Sequence, residues 1–305
     1  MTSGTEGVGR GRAWSRTWPE RSAADHRDAP HAPRTIGGVP RLRRPDGAEI
    51  EWRLQGEEGP LVAIALMALQ PPTVCGPIVE ELASDNRVLT YDLRGTGGSS
   101  RSGPYDIETD AEDLAALVEE AGGGALAIAL GDGTRRAVRA AAEHPDLIHT
   151  VAISGELPLG RVRAAGGSEA LADSPAVLEA LLELLEIDYR TGLRTMFTSS
   201  GDSEWRDGAL RDRLTATEAH CPREAGVPRM RAWVSDDSTE HGRALGDRLW
   251  YLHYPGNAWF RGAHETIQRD LPKARFTVVP DGVINRPEEN AAAIRGILAA
   301  RRAAA

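Results

Sequence analysis

The sequence predicts an α/β protein, with a mostly parallel central sheet, helices on both of its faces and a helical cap insertion. Three observations carry that expectation. Short apolar runs alternate with amphipathic helical stretches over residues 61–154, the order produced by parallel strands joined through helical crossovers. From about residue 157 to 246 the alternation stops and the signals are helical. It resumes with R-L-W-Y-L-H-Y at 248–254 and A-R-F-T-V-V-P at 274–280.

The elements follow in order. Residues 1–36 mix Gly, Ser, Arg, Pro and His without apolar periodicity, so a disordered or loosely docked arm is expected there. The core is expected over 37–156 and 247–305, with the cap at 157–246 between its halves. V-P-R-L-R-R, P-D-G and A-E-I-E-W-R-L read as a hairpin that turns at Asp46 and Gly47. L-V-A-I-A-L-M (61–67) is a buried strand ahead of a helix near 73–83. R-V-L-T-Y-D (87–92) leads through R-G-T-G-G-S into the helical I-E-T-D-A-E-D-L-A-A-L-V-E-E-A. A third strand at 125–130 feeds a helix at 134–143, and L-I-H-T-V-A-I-S (147–154) is the next strand. In the insertion, Ser174 caps S-P-A-V-L-E-A-L-L-E-L-L with Pro175 at the first helical position. Ser203 stands where a cap would precede E-W-R-D-G-A-L-R-D-R-L, and N-A-A-A-I-R-G-I-L makes the closing helix.

Composition narrows the function classes. A chain of 305 residues buries a full core, and 41% hydrophobic with 27% charged residues is the balance of a globular protein. A net charge of −9 argues against a nucleic-acid partner, which favours a basic face. No apolar run reaches the roughly 18 residues of a membrane span. The N-terminus lacks the charged-then-apolar order of a signal peptide, so a cytoplasmic location is expected. Cys75 and Cys221 are far apart and lack metal-ligand spacing. They are expected to be free thiols, with a catalytic Cys75 the less favoured reading. Neither a metal nor a cofactor is expected.

The stretch A-L-G-D-G, residues 129–133, carries the functional question. A buried strand that runs through a glycine-rich turn into a helix presents a nucleophile in G-x-S-x-G proteins. Here the middle position is Gly131, which has no side chain. With Y-D-L-R-G-T-G-G-S, A-A-A-E-H-P-D-L-I and V-V-P-D-G, the chain resembles the α/β-hydrolase superfamily over roughly residues 38–300. Counting back from E-H-P, that resemblance puts the serine position on Gly131. A two-residue helix deletion would put it on Gly133. The acid position falls on Asn257 (Gly256 if shifted by one), the histidine position on Ile284, and the oxyanion loop on M-A-L-Q-P-P from Met67. Acyl transfer needs an activated nucleophile, a base and an orienting carboxylate, and none of these residues supplies its part.

The remaining candidates are each weighed against a structural role. Asp132 follows the elbow at a helix N-terminus, as an acid or base facing the pocket or as a capping carboxylate. Its amide is expected to remain as half of an oxyanion hole. Glu156 follows a strand at the carboxyl edge of the sheet, either in place of the missing acid or as a solvated hinge. Asn257 and Asn285 could orient a polar substrate or serve as turn residues. Leu69, Gln70, Trp259 and Ile284 are expected, with Gly131, to line a substrate cavity, and Trp233 and Tyr254 are cavity or core. His253 and His264 are expected to be structural, and Arg135 and Arg136 to face the cap or solvent.

The resemblance and the empty triad together imply a non-hydrolytic enzyme that tailors a bulky aromatic natural product. Cofactor-independent oxygenation of a polycyclic phenol with dioxygen is the favoured chemistry, with cyclisation, isomerisation or elimination as alternatives. A small-molecule-binding pseudoenzyme and a partner subunit with a vestigial pocket are the competing classes. A hydrophobic small molecule is the expected partner, without nucleic acid or membrane, and a homodimer is an allowed assembly.

Overall fold

β1 (Arg41–Arg43) and β2 (Glu49–Gln55) pair antiparallel about a tight turn, as expected. Gly47 turns the chain with φ +88°, a region that favours glycine, and Asp46 Oδ1 accepts the Ala48 amide at 3.0 Å. The computed structural model describes residues 39–154, 175–199, 207–254, 263–280, 282 and 286–304. The N-terminal arm expected at 1–36, and the capping roles of Ser174 and Ser203, lie outside these residues.

Six further strands follow: β3 (Leu61–Ala65), β4 (Arg87–Tyr91), β5 (Ala125–Leu130), β6 (Ile148–Ser154), β7 (Leu249–His253) and β8 (Arg275–Val278). All eight form one sheet in the order β1-β2-β4-β3-β5-β6-β7-β8. β2 meets β4 antiparallel, and every pairing from β4 to β8 is parallel. α1 (Gly76–Ala83), α2 (Ile107–Glu120) and α3 (Gly133–Glu143) connect the first parallel strands. α4 (Pro175–Ile187), α5 (Tyr189–Ser199), α6 (Asp207–His220), α7 (Arg223–Ser235) and α8 (Thr239–Leu245) fill the described chain between β6 and β7. α9 (Ala263–Asp270) precedes β8, and α10 (Pro287–Ala304) closes the chain. Asp106 caps α2 by accepting the Thr109 amide at 2.7 Å, and Glu108 and Asp110 in the first turn suit the helix dipole.

The two-residue period of β3 divides the core. Leu61, Ala63 and Ala65 pack with residues of α2, α3 and α9, while Val62 and Ile64 pack with residues of α1 and α10. The face toward α3 carries Ala63, Ala65, Ala127 and Ala129, and α3 answers with Ala137, Ala140 and Ala141. Small residues on both sides bring that helix close to the strands at the elbow. A separate apolar cluster joins α4 to α7 through Leu178, Leu185, Tyr189, Leu214 and Trp233, and Leu69 from the core enters it.

β3 ends two residues earlier than its apolar run suggests. Met67 leaves the strand, and its carbonyl accepts the Gln70 amide at 3.1 Å in a turn. Among the described residues no helix is long and apolar enough to cross a membrane.

Candidate functional site at the strand β5 elbow

The chain turns from β5 into α3 at Gly131, whose φ is +53°. That turn puts Gly131 at the corner of A-L-G-D-G and Gly133 inside the helix. Gly133 is the first residue of α3, and a Cβ there would collide with the Ala65 carbonyl oxygen of β3. Gly133 is therefore the small residue that lets helix and strand approach, and Gly131 is the half-buried corner. A Cβ on Gly131 would stand 2.6 Å from Met67 Cγ and 3.0 Å from Met67 Sδ. The thioether side chain thus covers the place from which a nucleophile would project.

Asp132 does not cap its helix as the structural reading expected. It is the N-cap residue of α3, yet its side chain makes no capping hydrogen bond. Its carboxylate oxygens instead accept the Ala68 amide at 3.0 and 3.2 Å and pair with Arg136 Nη2 at 2.8 Å. Ala68 belongs to the loop after β3, where the family resemblance puts an oxyanion donor, so an internal anion already engages that N–H. The Asp132 amide makes no hydrogen bond among the described residues. It remains a candidate donor for a ligand oxygen.

Arg136 corrects an expectation. It faces neither the cap nor solvent, but lies fully buried under the elbow. Its guanidinium donates to the Leu66 carbonyl, pairs with Asp132, and lies 3.6 Å from Asp110. Burial opposes its charge, but Asp132 and Asp110 outweigh that and raise its pKa above the ordinary arginine value. The ionic network runs on: Asp110 also pairs with Arg229 of α7, and Arg229 donates to the Arg94 carbonyl at 2.5 Å. Arg94 in turn grips Asp113 with bonds of 2.6 and 3.0 Å. Arg135 does face the cap, donating to the Asp236 carbonyl at 2.6 Å with Trp233 5.9 Å away.

Two cavities border the loop after β3, and neither has Gly131 or Asp132 in its wall. The first, about 10 Å3, is lined by Leu66, Met67, Ala68, Gln70, Tyr91, Leu93, Thr96 and His220. The second is a cleft of about 370 Å3 between that loop and α6, walled by Gln70, Pro71, Val74, Arg213, Ala216 and Thr217 among others. A floor made of Gly131 and Asp132 is therefore not what these cavities have. Gln70 lines both, whereas Leu69 is buried in the cap cluster.

Other expectations divide plainly. Glu156, Asn257, Trp259, Ile284 and Asn285 lie outside the described residues, as does the side chain of His264. His253 sits within β7 beside Tyr251, ring centroids 5.9 Å apart. Burial pushes the Cys75 thiol up to about 12, and burial likewise lifts Cys221 to about 11. Neither is an activated thiolate. The sequence reading missed Met67 as the elbow's cover, Arg136 as its anchor, and Tyr91 and His220 as cavity walls. Nothing local distinguishes these residues, because each acquires its position through a partner distant in sequence.

The comparisons agree with this geometry. A family model described as alpha/beta hydrolase fold matches residues 72–278. An alpha/beta hydrolase from Sphaerobacter thermophilus DSM 20745 is 22% identical, with a TM-score of 0.66 over 85% of this chain and all of that one. The enol-lactonase from Burkholderia xenovorans LB400 is 19% identical, with a TM-score of 0.67 over 85% of this chain and 100% of its own. A putative epoxide hydrolase from Pseudomonas aeruginosa is 19% identical, with a TM-score of 0.63 and coverages of 88% and 98%. At these identities the likeness is one of fold. None of the curated proteins matches the chain. With the family model spanning most of the chain, and its strand order and elbow in place, the protein belongs to the alpha/beta hydrolase fold family.

Proposed function

We propose that this protein binds a small, largely apolar molecule and does not carry out serine hydrolysis. One observation carries the reading: the elbow presents Gly131 at φ +53°, with Met67 over the position a nucleophile would need. A missing nucleophile forfeits most of the rate of a triad, and other members do not compensate. The cleft of about 370 Å3 is within the usual range of small-molecule sites and has Pro71, Val74 and Ala216 in its wall.

Cofactor-independent oxygenation of a polycyclic aromatic is the catalytic version of this reading. It asks the substrate to ionise unaided, because Asp132 is already engaged by Arg136 and the Ala68 amide. Binding without turnover therefore has the firmer support. The fold relatives include an enol-lactonase and a putative epoxide hydrolase, so hydrolysis is the outcome to exclude. The full chain is to be treated with a fluorophosphonate probe and with p-nitrophenyl acetate. Unchanged mass and ester release at the buffer rate are expected. A covalent adduct, or ester turnover clearly above buffer, overturns the proposal.

A further inference from the structure

The small chamber beside the elbow holds two buried polar groups with complementary needs. Tyr91 is 4% exposed and Gln70 is 6% exposed, and both line the chamber. Among the described residues, the Tyr91 hydroxyl and Gln70 Oε1 each have no hydrogen-bond partner. Gln70 Nε2 is turned to Met67 Sδ at 3.6 Å, which leaves Oε1 as the acceptor. Buried polar groups are seldom left unpaired in folded proteins, and such exceptions mark places where a ligand or water belongs. A volume of about 10 Å3 admits one oxygen-sized group and nothing larger.

The chemistry of that group follows from what surrounds it. Burial raises the Tyr91 pKa, so the phenol stays protonated and donates. Arg136 and Arg229 act on it in one direction and Asp110 and Asp113 in the other. Burial also lowers the pKa of His220, which removes a fixed cation from the wall. An unpaired acceptor and an unpaired donor in the wall of one chamber suit a group that both gives and takes a hydrogen bond. A carboxylate has no proton for Gln70 Oε1, and an ammonium has no lone pair for Tyr91. A hydroxyl has both.

Gln70 is also a wall of the larger cleft, which has Pro71, Val74 and Ala216 beside it. We infer that the chamber is the recognition subsite for the hydroxyl of an apolar alcohol or phenol, whose body occupies the cleft between the loop after β3 and α6. This rests on the ligand-binding reading above and names its ligand class. Selectivity of this kind is strong, because a ligand without the hydroxyl leaves both protein groups unpaired.

The test is calorimetric titration of the full chain with 4-propylphenol and with propylbenzene, which differ only by the hydroxyl. The phenol is expected to bind at least about tenfold more tightly than the hydrocarbon. Tyr91→Phe and Gln70→Leu should each cut that preference several-fold. Thermal melting of the unliganded variants checks folding independently: Tyr91→Phe should melt no lower than the wild type, since the lost hydroxyl had no partner. Equal affinity for the two probes overturns the inference, as a chamber that merely holds a water would give. So does a preference that survives both substitutions, or binding of neither probe. The outcomes stay separable from hydrolysis: loss of the hydroxyl preference leaves an unlabelled chain unlabelled, and a fluorophosphonate adduct leaves the preference intact.

Discussion

Met67 stands over Gly131, its Cγ 2.6 Å from the point where a side chain at the elbow would begin. The two positions complement each other. One lacks a side chain, and the other, one strand away, fills the space that leaves. The elbow keeps the sharp turn of a nucleophile-bearing corner but is closed by a flexible apolar side chain.

Gly131→Ser is expected to give no esterase activity, measured as p-nitrophenyl acetate release above buffer. The new hydroxyl would meet Met67, and its neighbour Asp132 is engaged elsewhere. The substitution should also destabilise the fold by about 1–2 kcal/mol, the cost of a side chain in the left-handed region. Adding Met67→Ala should recover part of the Gly131→Ser loss beyond the additive expectation in urea unfolding. Strictly additive losses would show that the two residues do not share that space.

Arg136→Met should lower stability by about 3 kcal/mol in urea unfolding, because Asp132 and the Leu66 carbonyl would lose their guanidinium partner, while Asp110 keeps Arg229. Arg136→Lys should recover little, since a lysine cannot reach Leu66, Asp132 and Asp110 together. In a double-mutant cycle, Asp132→Asn should cost less in the Arg136→Met background than in the wild type. Equal costs in both backgrounds would remove Arg136 from the support of the elbow.

His220 gives the protein a predictable response to acid. Burial lowers its pKa below the ordinary 6.5, Asp92 opposes that, and Arg101 and Arg53 reinforce it. Below the ordinary value the unfolded chain takes up a proton that the folded chain refuses. The contribution is therefore fully present above 6.5 and lost as pH falls through the depressed folded value. Between about pH 7.5 and about pH 5.5 the wild type should lose more melting temperature than His220→Gln. Parallel pH profiles would refute this.

Cys75 and Cys221 should resist Ellman's reagent in the native protein and both react once guanidinium unfolds it. Burial holds each thiol protonated at neutral pH and out of contact with solvent. Rapid native labelling of either would contradict the full burial of both thiols.

Much of the fold is legible along the chain because it is written in local periodicity. Two-residue and 3.6-residue repeats, the Asp46–Gly47 turn and the helix end at His144–Pro145 each depend on neighbours a few positions away. The same holds at the elbow: no folding can give Gly131 a side chain. What the tertiary structure alone decides is how the vacated corner is filled. Met67, Asp132 and Arg136 lie on different elements, and only the parallel pairing of β3 with β5 brings them together. Asp132 looks like a cap in one dimension and is a clamp on the Ala68 amide in three. Arg136 looks like a surface arginine because arginines usually are, and is buried because two aspartates and a carbonyl from distant segments meet it. Tyr91 and Gln70 read as core and loop, and their unmet hydrogen bonds appear only once the sheet sets them in one chamber. Local pattern fixes which elements form. The partners of buried polar groups are long-range facts, and packing alone assigns them.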